Sequence, residues 1–97
     1  MPTYVTLANF TDQGIKTFRD TVRRSEDFRG VVEQRGGQVR LQLWTLGQYD
    51  IVVVMDFPDD ETAAAVALQT AALGNVRTTT LKAFDAEQVS AIIQRAG

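Results

Sequence analysis

The chain of 97 residues contains no cysteine and no histidine. Those two absences remove thiolate nucleophiles, disulfide staples, zinc sites of the Cys/His kind and any imidazole general base. Lysine occurs only at Lys16 and Lys82, neither in a Schiff-base or phosphate-binding motif, and no glycine-rich phosphate loop is present. No metal and no cofactor is therefore expected. Positive charge is also scarce relative to negative, with a formal net charge of -2, so the sequence favours neither nucleic acid nor an anionic membrane as partner. Apolar runs are too short to span a bilayer, and Met1-Pro2-Thr3-Tyr4 lacks a basic segment followed by an apolar one. The expected compartment is the cytoplasm, and the expected organisation is a single domain over residues 1–97.

What is present is patterned. Tyr4 to Phe10 is rich in β-branched and aromatic residues and predicts a first strand, with Thr11 as the N-cap of a helix beginning near Asp12. Ile15, Phe18, Val22, Ser25, Phe28, Val31 and Val32 follow the spacing of one helical face, with Gly14 and Thr21 as places where it can break, and Gly36-Gly37 end it. Gln38 to Leu46 and Tyr49 to Phe57 predict an antiparallel hairpin turning at Gly47-Gln48. The acids Asp59, Asp60 and Glu61 suit the start of a second helix that Gly74 terminates in a left-handed cap. Val76 to Phe84 predicts a fourth strand, and Asp85 with Gln88 predicts a capping box for a last helix carrying Val89, Ile92 and Ile93 on one face.

This order repeats a strand-helix-strand unit twice. It predicts an α+β, ferredoxin-like βαββαβ fold with a C-terminal helix, both main helices lying on one face of the sheet. A two-residue turn at Gly47-Gln48 puts Arg40, Gln42, Trp44, Tyr49, Ile51, Val53 and Met55 on one face, and Val39, Leu41, Leu43, Thr45, Asp50, Val52, Val54 and Asp56 on the other. Both sets are mostly apolar, and periodicity does not say which meets the helices. Strands apolar on both faces need cover on both, and so short a chain has helix enough for one. A second copy of the chain is the simplest cover, which predicts a homodimer or a larger homo-oligomer paired sheet to sheet.

Five ordered segments carry a family resemblance: Tyr4-Val5-Thr6-Leu7, Phe10-Thr11-Asp12-Gln13-Gly14-Ile15, Thr45-Leu46-Gly47-Gln48-Tyr49-Asp50, Pro58-Asp59-Asp60-Glu61-Thr62-Ala63, and the run from Leu73 to Leu81. Together they resemble the GYD family, named for a Gly-Tyr-Asp signature and grouped with the dimeric α/β barrels. Here Gln48 separates Gly47 from Tyr49-Asp50. The resemblance implies a ferredoxin-like subunit pairing through its sheet as a dimeric α/β barrel; it carries no assigned reaction or catalytic residues. Related barrels include cofactor-independent oxygenases, isomerases, haem-degrading enzymes and ligand-sensing modules, so fold does not choose among them.

The candidate ligand-binding residues are Asn9, Trp44, Tyr49, Asp50 and Arg77. Asn9 is an amide in an apolar strand, and a buried amide needs partners. Asp50 and Tyr49 place an acid beside an aromatic hydroxyl, although Asp50 equally suits bonding turn amides while Tyr49 and Trp44 supply packing area. Arg77 can clamp a carboxylate or pair with Asp50 or Asp56 from another strand or subunit. The charges from Arg19 to Glu33 alternate at spacings of four, as on a solvated helix face. Pro2 would offer a secondary amine base if Met1 were removed, a role the rest of the chain does not support. The leading functional reading is a small oligomeric ligand-binding or assembly module with a possible small-molecule ligand. The alternative is a cofactor-independent oxygenase or isomerase acting on a small apolar or aromatic substrate.

Overall fold

The computed structural model describes residues 1–97. Strand β1 spans Thr3–Phe10, helix α1 Asp12–Lys16 and helix α2 Thr21–Gln34, with a 3-10 turn at Phe18–Asp20 between the helices. Strands β2 (Gln38–Trp44) and β3 (Ile51–Asp56) follow, then helix α3 (Asp60–Ala72), strand β4 (Val76–Ala83) and helix α4 (Ala86–Ala96). The four strands form one sheet in the order β2-β3-β1-β4, every pairing antiparallel. This is the α+β, ferredoxin-like βαββαβ arrangement with an added C-terminal helix. No helix is long and apolar enough to cross a membrane.

Local chemistry sets the helix boundaries. The Thr11 hydroxyl accepts from the Gly14 amide, Asp59 from the Thr62 amide, and Asp85 from the Gln88 amide, so α1, α3 and α4 each start on a side chain that satisfies an orphan donor, whereas α2 follows the 3-10 turn without such a bond. Asp85 and Gln88 complete a reciprocal capping box. Gly74 ends α3 at φ 81°, a conformation that a side chain would strain. The first helical segment does break, between Lys16 and Thr21, where the 3-10 turn redirects the chain before α2.

Helices α2 and α3 cover one face of the sheet. Tyr4, Ala8, Val39, Ile51, Val53 and Met55 pack there against Val32, Phe57, Ala63 and Val66, and these ten residues form the core. Two expectations need correction. First, β2 and β3 are joined by residues 45–50 rather than by a two-residue turn, so Tyr49 and Asp50 precede β3. Second, the register shifts between Val39 and Leu41: Val39 pairs with Met55, but Leu41 pairs with Val54. A bulge at Arg40 absorbs the extra residue, and a one-residue insertion reverses the facing of everything before it. Val39 therefore joins Ile51, Val53 and Met55 in the core, while Arg40 moves to the other face.

That other face is bare within the chain. It presents Val5 and Leu7 of β1, Leu41 and Leu43 of β2, Val52 and Val54 of β3, and Leu81 of β4. Leu41, Leu43 and Leu81 are each nearly half exposed, at 46%, 47% and 48%. Helix α4 adds to this open surface, because none of its residues is buried and it packs extensively on no other element. Val89, Ile92 and Ile93 line one side of it in the open, with Phe84 exposed at its root.

Candidate functional site

Two regions of the molecule hold functional potential, one on each side of the sheet. The helix side contains a cleft of about 190 Å³ between the sheet and helices α2 and α3. Its walls are mainly apolar, from Ala8, Phe10, Phe28, Val31, Ile51 and Val53, with Arg24, Asp27, Gln42 and Asn75 among the polar residues that also line it. Small floor residues, Thr6, Ala8 and Thr78, leave the space. Arg24 is held in place, donating to the Thr17 hydroxyl at 2.9 Å and to the Gly14 carbonyl at 3.2 Å. An apolar cavity of about 150 Å³ is known to accept a single benzene ring, so the cleft has room for one ring or a short aliphatic chain.

The groups with shifted pKa values stand outside this cleft. Tyr4 is pushed up to about 12, first by burial and then by its hydrogen bond to Asp60 and the negative charge of that carboxylate. The Tyr4 hydroxyl donates to Asp60, and Lys82 stands 3.1 Å from the same carboxylate. Asp60 is held below the usual carboxylate range, by Tyr4 first and Lys82 second. Together they tie the first turn of α3 to β1 and β4. Asp59 lies low because it caps the Thr62 hydroxyl and amide. These are helix-start and sheet-linking contacts, and the cleft itself offers shape and apolar contact rather than a poised base. No group of three or more acidic residues is arranged to hold a metal ion.

The bare face has an apolar centre and a polar set at each end. At one end the bulge delivers Arg40 to Asp56, Nε to Oδ2 at 2.6 Å, and Thr3 donates to the other oxygen at 2.7 Å. Burial works to raise the Asp56 pKa, yet the hydrogen bonds from Thr3 and Arg40 and the Arg40 charge outweigh it and hold the carboxyl below its ordinary value. At the other end Asn9 pairs in register with Arg77. Asp50 follows next to them, one step beyond the Ala8–Ile51 pair. Its Oδ2 accepts from the Phe10 amide at 2.9 Å, and its own amide donates to the Ala8 carbonyl.

The structure thus separates the five sequence candidates. Asn9, Asp50 and Arg77 come together as one row at an end of the bare face. Trp44 lies on the helix side, its indole donating to the Thr21 hydroxyl at 3.0 Å, and Tyr49 sits in the connection, its carbonyl accepting from Thr45. None of the five lines the cleft. Along α2 the charges expected on a solvated face are partly engaged: Asp20 meets Arg23 at 3.6 Å, and Arg24 and Arg29 turn to backbone carbonyls and Gln42. Phe28 and Val31, which line the cleft, were legible only as one apolar helix stripe, and nothing in their spacing distinguishes a cavity wall from core.

Residues 4–93 match the family model described as the GYD domain. The chain is also similar to a protein of Thermus thermophilus named "Glutamine synthetase and cystathionine beta-lyase binding protein", 35% identical over 85 residues that cover 87% of this chain and 90% of that one. The chain belongs to the GYD domain family.

Proposed function

We propose that this GYD-family chain is a small interaction module that assembles with itself through its bare sheet face and binds protein partners. One observation carries the reading: the apolar centre of that face and the apolar side of α4 are both left uncovered by the chain's own elements. Contiguous exposed apolar surface of this kind is a mark of protein–protein contact. The likeness to the Thermus protein supplies the class of partner to try, namely a glutamine synthetase or a cystathionine beta-lyase. On the helix side, the cleft suits a small apolar or single-ring ligand that would accompany this role.

The enzyme alternative, a cofactor-independent oxygenase or isomerase, draws support from the same cleft. It is the weaker reading, because Asp50 and Tyr49 do not line that space and no group with a shifted pKa does. Sedimentation of the purified chain tests the assembly half: a dimer or larger species at micromolar concentration is expected, and a monomer refutes it. Titration into purified glutamine synthetase and cystathionine beta-lyase from the same organism, followed by calorimetry, tests the other half. Saturable binding to either enzyme is expected. Turnover of a small aromatic compound by the chain alone would promote the alternative.

A further inference from the structure

We infer that the cleft between the sheet and helices α2 and α3 takes a free α-amino acid with an apolar side chain, its carboxylate facing Arg24 and its ammonium facing Asp27. The inference rests on the reading of the cleft as a small-molecule site and supplies the chemistry of the ligand. Helix α2 builds one wall in two parts: Thr21, Arg24, Ser25 and Asp27 come first along it, then Phe28 and Val31. From the sheet, the buried apolar residues Ala8, Ile51 and Val53 complete the apolar part. A wall that is charged along one stretch and apolar along the next suits a ligand with a polar head and an apolar body.

The head is zwitterionic because the lining carries one cation and one anion that do not pair with each other. Arg24 and Asp27 are three positions apart, so they share a face of α2 with Cβ atoms about 5–6 Å apart. Arg24, half-buried, is nevertheless turned toward α1, where its two terminal nitrogens donate to the Thr17 hydroxyl and the Gly14 carbonyl. Both acceptors are uncharged, and the guanidinium keeps further N–H donors for an anion. Asp27 is exposed, and the ion pairs of the chain lie elsewhere, at Asp20–Arg23, Arg40–Asp56 and Asp60–Lys82. The amides of the lining are engaged by the chain itself: Gln42 accepts from Arg29 and donates to the Ser25 carbonyl, while Asn75 accepts from Gln13. A ligand bearing only a carboxylate would meet Arg24 but set like charge beside Asp27, and an amine would do the reverse. An α-amino acid carries both groups on one carbon and answers both side chains. The volume of about 190 Å³ leaves room for a side chain the size of leucine, methionine or phenylalanine.

Calorimetry with L-phenylalanine, 3-phenylpropionate, phenethylamine and benzyl alcohol separates the two charges from the ring. Saturable binding of phenylalanine is expected, with 3-phenylpropionate and phenethylamine each weaker by about tenfold or more. Phenylalanine should lose its advantage over 3-phenylpropionate in Asp27→Asn and its advantage over phenethylamine in Arg24→Gln. Asp27 is exposed, so its variant should fold as wild type and carries the test even if Arg24→Gln, which also loosens the tie to α1, does not. Binding of 3-phenylpropionate or benzyl alcohol as tight as that of phenylalanine, or an unchanged preference in Asp27→Asn, would overturn the amino-acid inference while leaving the cleft as a site for an apolar ligand. No saturable binding of any of the four at millimolar concentration would remove both, and sedimentation would still decide the assembly reading by itself.

Discussion

Gly14 lies against the Asn75 carbonyl so closely that a Cβ at position 14 would stand 1.9 Å from the oxygen. The same carbonyl accepts from the Thr11 amide at 3.1 Å, and the Thr11 hydroxyl donates to Gly74, so the start of α1 is locked to the end of α3. Gly14→Ala should force those backbones apart and lower unfolding free energy by about 2–3 kcal/mol. Denaturant melts, with Gly30→Ala as a control where a Cβ meets nothing within 4 Å, provide the comparison.

Acid should loosen the Asp56 contacts of the bare face. The Asp56 carboxyl has a folded-state pKa below its ordinary value, so its contribution is present above the unfolded value and is lost as pH falls through the folded one. Thermal melts from pH 6 downward should show stability falling below about pH 4. Asp56→Asn should flatten that fall and cost about 2 kcal/mol at neutral pH, because the buried carboxylate accepts from both Thr3 and Arg40. An identical acid profile in the variant would remove Asp56 from the account.

Tyr4 makes the opposite prediction at the alkaline end. Its phenol is raised to about 12 in the fold, so its contribution is intact below pH 10 and disappears as pH climbs toward 12. Phenolate absorbance of the native protein should show one of its two tyrosines ionising only near pH 12. Tyr4→Phe should abolish that late step.

Helix α4 should be dispensable for folding and needed for association. A chain ending at Phe84 loses no buried residue, so its melting temperature should stay within a few degrees of wild type. Ile92→Asp in the full chain places a charge on the open apolar stripe and should weaken binding to a partner enzyme about tenfold or more while leaving the fold unchanged. Binding equal to that of wild type in both variants would exclude α4 from the contact surface.

Much of the architecture was readable because it is written locally. Thr11, Asp59 and Asp85 stand directly at the helices they start, Gly74 at the one it ends, and strand order follows from the repeated strand-helix-strand unit. What escaped depends on contacts distant in sequence. Asp50 reaches an amide 40 positions away, Tyr4 a carboxylate 56 away, and neither leaves a pattern within its own segment. The bulge at Arg40 carries no glycine to announce it, so the alternation that correctly grouped Ile51, Val53 and Met55 failed for Val39. The cleft is likewise a property of how far α2 and α3 stand apart, which no single helix encodes.

That bulge also bears on how large an assembly can grow. Strand β2 is the outer member of the sheet, and its free backbone groups would otherwise template another strand side by side, without limit. The kink at Arg40 interrupts the ladder, twists the strand and sets a long charged side chain beside it, flanked by the exposed polar Gln38. Such features discourage edge-to-edge addition. In the proposed assembly, association would be steered from the margin of the sheet to its flat side, where a two-fold contact is satisfied once and closes, giving a finite particle instead of a fibre.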